Sequence, residues 1–134
     1  MSGANAPTLD TTQHKIKTFT ANLAQAAATY DLAQVNAIGG VKIIDIQIYT
    51  LVAGATFTSV SIQTNDTTAV NILTAAEGAV ANLTVGKNIA KAFTGPTYLH
   101  TSKKIQFTIA GATGTGSLLV VVTYHPTVSG ADIS

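Results

Sequence analysis

Two runs of strict alternation, separated by glycines, constrain this chain more than anything else in it. In residues 103–109, Ile105, Phe107 and Ile109 face one way and Lys104, Gln106 and Thr108 the other. Residues 117–125 repeat the pattern with Leu118, Val120, Val122 and Tyr124. A period of two puts successive side chains on opposite faces of a strand and does not suit the 3.6-residue turn of a helix. The intervening Ala110-Gly111-Ala112-Thr113-Gly114-Thr115-Gly116 reads as the loop of a β-hairpin, and Pro126 ends the second run.

The same reading extends back along the chain. Residues 41–51 set Ile44, Ile46 and Ile48 on one face and Val41, Ile43, Asp45, Gln47 and Tyr49 on the other, with Gly39-Gly40 and Gly54 as punctuation. Residues 57–64 form a further strand, Asn65-Asp66-Thr67-Thr68 a turn, and residues 69–73, 88–93 and 98–100 short strands. Residues 14–20 are the first strand. Residues 21–34 read two ways: Leu23, Ala26, Ala27 and Tyr30 keep helical spacing, whereas Ala28, Tyr30, Leu32 and Gln34 alternate. A loop followed by a strand from about Ala28 fits them better.

Thr, Val and Ile supply 22, 11 and 12 of the 134 residues, and β-branched side chains fit a pleated surface better than a helix. About eight or nine short strands and no firm helix predict one all-β domain, a single β-sandwich. Its inner faces would come from Ile44, Ile46, Ile48, Val60, Ile62, Ile105, Phe107, Ile109, Val120 and Val122. A jelly roll fits best, an immunoglobulin-like sandwich second. Residues 1–13 read as a flexible N-terminal arm reaching about 43 Å when extended, residues 14–126 as the sandwich and residues 127–134 as a tail.

Composition narrows the function. Seven lysines, no arginine and six acids give a net charge of +1 with no basic stripe, which argues against nucleic acid as a partner. No apolar run approaches the ~18 residues of a spanning helix, and the N-terminus lacks the blocks of a signal peptide, so no membrane partner is expected. The chain has no cysteine, which excludes disulfides and thiolate metal sites. Only 10% of residues are charged while 46% are hydrophobic, which suggests a surface partly covered by other subunits.

Chemistry-bearing motifs are scarce. His14, His100 and His125 are far apart in sequence and no metal-ligand spacing joins them, so no metal or other cofactor is expected. Six acids form no evident dyad, and residues 111–117 lack the lysine and the following helix of a phosphate loop. An enzyme is not expected. Tyr49, Tyr98 and Tyr124 could serve as a sugar-stacking platform, though core or interface packing is the simpler account of each.

The stretches AQAAATYDLAQV with GGVKIIDIQIYT, SIQTNDTTAVNILTAAEGAVANLTVGK and KKIQFTIAGATGTGSLLVVVTYHP resemble small structural proteins of tailed bacteriophages over residues 16–126. That resemblance implies a head decoration (cement) protein, a β-rich homotrimer clamping the outside of the capsid. The major capsid protein would be its partner, and assembly would take place in the host bacterial cytoplasm. Pro7, Thr8 and Leu9 of the arm, with Lys15 and Lys17, are the expected capsid contacts. A receptor- or glycan-binding module of a fibre or tail is the alternative, with Tyr98 or Tyr49 at its site.

Overall fold

A computed structural model describes residues 14–86, 88–90 and 97–134. The protein is all-β, with no α-helix among these residues. Seven strands form one antiparallel sheet: β1 (Lys15–Asn22), β2 (Thr29–Gln34), β3 (Val41–Thr64), β4 (Asn71–Leu73), β5 (Asn88–Ala90), β6 (Thr97–Leu99) and β7 (Lys104–Pro126). The all-β expectation is met, with all seven strands joined in one hydrogen-bonded sheet.

The frame is a two-stranded ribbon. β3 and β7, of 24 and 23 residues, pair from Val41↔Pro126 at one end to Thr64↔Ile105 at the other. β1 pairs with the C-terminal half of β7, and β5 and β6 with the N-terminal half of β3. β2 and β4 flank the other half of the ribbon. Its inward side chains form one core that draws on both halves, including Ile46, Ile48, Val120 and Val122 from one and Val60, Ile62, Ile105 and Phe107 from the other.

The glycine run at 110–116 is therefore not a hairpin tip. β7 runs straight through it, and β3 likewise runs through Gly54, so two expected strand pairs are two long strands. Four of the five register shifts between β3 and β7 fall between Thr50 and Ser59, which makes this the place where the ribbon bends. A Cβ on Gly114 would stand 1.8 Å from the Ala55 carbonyl oxygen, and Gly111 and Gly116 have φ of +97° and +139°. These glycines serve close backbone approach at bulges, and a glycine run alone does not distinguish that use from a turn.

A second bulge corrects the expected core. The register shifts between Ile43 and Asp45, so the inward parity of β3 changes there. Val41 and Ile43 point in before it, Ile46 and Ile48 after it, and Ile44 is left half-buried. A strict alternation through residues 41–51 cannot anticipate this, because one extra residue exchanges the faces. The other nine expected inner residues are all buried.

Residues 127–134, read as a tail, close the fold. Val35 pairs with Ile133, and Gln34 and Ser134 exchange backbone hydrogen bonds of 2.8 and 3.0 Å. Ala131 and Ile133 are wholly buried.

Candidate functional site

Among the described residues, most charged side chains lie where the two ends of the ribbon meet. Residues 46–65 and 105–131, which include the bend, carry no acid, lysine or arginine. At the closed end, Lys17 Nζ donates to Asp132 Oδ2 at 2.8 Å and to the Ile133 carbonyl at 2.7 Å. The buried Tyr124 hydroxyl donates to Asp132 Oδ1, which also accepts the Ile133 N–H at 2.9 Å. Burial pushes the Tyr124 phenol upward and the facing carboxylate adds to it. For Asp132 burial acts upward, but the bonds from Lys17, Tyr124 and the Ile133 N–H prevail and hold its carboxyl below the usual range.

A second cluster ties the turn after β3 to the turn after β6. Asp66 Oδ2 accepts the His100 N–H at 2.8 Å and lies 2.7 Å from His100 Nδ1, and Oδ1 accepts the Thr67 N–H at 2.6 Å. Desolvation raises the Asp66 pKa, but these bonds outweigh it and bring it down to about 2. The Asp66 side chain is 7% exposed and that of His100 63%, so the imidazole faces outward over an ordered carboxylate. Tyr98 meets the same ring edge-on at 4.5 Å. Alongside, Asn65 Oδ1 accepts the Lys104 N–H at 2.7 Å, and Asp31 accepts bonds from Lys104 and Gln106.

Asp66 holds its partners more strongly as the anion, so it adds stability above the ordinary carboxyl range that is lost as pH falls from about 4 to about 2. Asp66→Asn is expected to cost on the order of 1–2 kcal/mol near neutrality, an amount reduced by the solvent around His100. It should also flatten that acid segment of the stability curve, as followed by urea unfolding at stepped pH. An unchanged acid segment would show that the carboxylate does no such work.

The residues singled out in the sequence are dispersed. Pro7, Thr8 and Leu9 lie outside the described residues. Lys15 and Lys17 start β1, both half-buried, and Lys17 is engaged by Asp132. Tyr124 is buried, which removes it from any sugar platform. Tyr49 and Tyr98 are exposed, but Tyr49 lies on β3 seven residues beyond Lys42, the partner of Tyr98, about 23 Å at ~3.3 Å per residue, so they share no platform. The β1–β7 register brings His14 and His125 into ring contact at 4.2 Å, which their separation in sequence concealed. No group of three or more metal-ligating side chains exists among the described residues.

The bend end offers a different surface. Leu51, Val52 and Val85 are 46%, 51% and 67% exposed, and the Gly86 N–H donates to the Thr50 carbonyl at 3.2 Å, which sets Val85 close to the other two. Residues 53–56 and 110–115, small and uncharged, continue the two strands through the bend. Such an arrangement suits contact with another protein surface. No protein-family model, no curated protein and no solved structure matches this chain.

Proposed function

We propose that this protein is a structural component of a virion, a head decoration protein that binds the outside of a tailed-phage capsid as a homotrimer. The phage setting rests on the sequence resemblance. The structural role rests on one observation: Leu51, Val52 and Val85 are exposed apolar side chains near the bend, where residues 46–65 and 105–131 carry no acid, lysine or arginine. Apolar area of this kind is stable in solution when another subunit covers it. Clamping needs area and rigidity, and no chemistry.

The test is light scattering behind a sizing column, followed by co-sedimentation with empty heads of the encoding phage. The reading expects a mass of about three chains and saturable binding to the heads. Failure to bind heads overturns it. A glycan array run on the same preparation addresses a receptor-binding role, for which the exposed Tyr98 beside His100 speaks; a signal lost in Tyr98→Ala would favour that role instead.

A further inference from the structure

The outer edge of β1 is an unusual strand edge for this fold. The Leu23 N–H donates to the Gly116 carbonyl, in the same register that pairs Lys15 with Tyr124. In an antiparallel ladder the backbone groups alternate sides, so odd residues of β1 bond β7. The N–H and C=O groups of Ile16, Thr18 and Thr20 then point the other way, as do those of Asn22, whose carbonyl accepts a bond from Gln25 Nε2 at 2.7 Å. Among the described residues no strand meets them.

The other edges are protected by means that natural sheets commonly use. β4, β5 and β6 are three residues each, and β2 is broken by a register shift between Asp31 and Ala33. β1 has eight residues in unbroken register and no proline. Lysine is the usual guard of such an edge, but of the two in β1 Lys17 is turned to Asp132 and neutralised, which leaves Lys15 at the strand's first position. Ile16, on its outward face, is 65% exposed.

We propose that this edge is an acceptor for the N-terminal segment of a second copy of the chain, which adds to β1 as an extra strand. Thirteen residues precede His14, and extended they span about 43 Å, more than the ~26 Å length of β1. Thr8-Leu9-Asp10-Thr11-Thr12-Gln13 is proline-free and rich in β-branched threonine. Pairing of this segment with its own β1 requires a reversal directly before Lys15. Thr12-Gln13-His14 contains no residue that favours the left-handed conformations of a tight hairpin. A reversal at Asp10-Thr11 leaves only residues up to Leu9, interrupted by Pro7. The geometry therefore favours exchange between copies. It places Pro7, Thr8 and Leu9 on a neighbouring subunit, and it needs a second copy but no capsid, so a failure to bind heads leaves it standing.

The absence of native cysteine makes the test direct. Thr11→Cys and Thr18→Cys are made as separate full-length proteins, mixed and oxidised, and the products resolved on a non-reducing gel. The inference expects a mixed disulfide dimer in clear excess over either homodimer. No excess, or a faster intramolecular bond in the doubly substituted chain, overturns it. Thr18→Pro provides the second measurement, since it removes only an edge-facing N–H and leaves the β1–β7 bonds in place. Sedimentation velocity should show Thr18→Pro and a chain lacking residues 1–13 both shifted to monomer, with the β-sheet circular dichroism of the parent. Association unchanged in both overturns the inference.

Discussion

Deleting residues 131–134 is expected to abolish cooperative folding, although it removes only four residues at the end of the chain. Ile133 is wholly buried, and loss of an aliphatic side chain from such a site costs about 2–5 kcal/mol. The deletion also removes the backbone pairing to Gln34 and Asn36, and it strands the Tyr124 hydroxyl inside the protein. An unsatisfied buried hydroxyl adds about 1–3 kcal/mol. A domain of this size has only about 5–15 kcal/mol to lose.

Asp132→Ala separates the contributions. The Lys17 and Asp132 side chains are 37% and 39% exposed, so their ion pair is worth less than about 1 kcal/mol. The hydrogen bond from Tyr124 dominates, and Asp132→Ala should cost about 2–3 kcal/mol. Tyr124→Phe, which removes the stranded hydroxyl, should recover part of that loss when combined with it. Urea denaturation of the single and double variants measures the coupling, and strict additivity would mean that Asp132 does not act through Tyr124.

The second large effect is expected at Gly114. In Gly114→Ala the new Cβ would lie 1.8 Å from the Ala55 carbonyl oxygen and 2.8 Å from the Phe57 nitrogen, both backbone atoms. No rotamer change relieves a clash of this kind, so β3 and β7 must part where the ribbon bends. A loss of about 3 kcal/mol or more follows. Gly86→Ala is the control. Its φ is +80° but nothing lies within 4 Å of the added methyl, so it should cost only the roughly 1–2 kcal/mol of left-handed backbone strain. Equal midpoint shifts in the two variants would show that the close approach at Gly114 is unimportant.

The contrast between these glycines marks how far the sequence alone carries. Alternation at residues 105–109 and 118–124 is legible, because each burial decision there is local and has a period of two. What the glycines between them do is not legible, since a turn and a bulge both ask for a residue without a side chain. The identity of the partner across the strand decides between them, and for Gly114 that partner is Ala55. Ile44 departs from its expected face for a related reason: parity holds along a strand only until a register shift, and nothing local to residues 43–45 announces one.

The polar clusters were the least legible part. Asp66 and His100 are 34 residues apart and meet because two turns end at the same edge. Asp132 lay in a stretch of small and polar residues that carries no periodicity, and its role appears only when Val35 is seen to pair with Ile133. The expected contacts at Lys15 and Lys17 show the converse: a lysine near a chain end reads as surface charge, whereas Lys17 is half-buried in an internal pair.

The position of these partners along the chain sets an order of events during synthesis. β1 is made well before its partner β7, since Lys15 stands opposite Tyr124, 109 residues further along. Closing so long a loop before any contact repays it is slow. Throughout translation β1 and β3 must therefore wait with their apolar faces uncovered, and the final register locks only when Ile133 leaves the ribosome. A stalled or prematurely terminated chain would hold nearly every strand and still have no native state to reach.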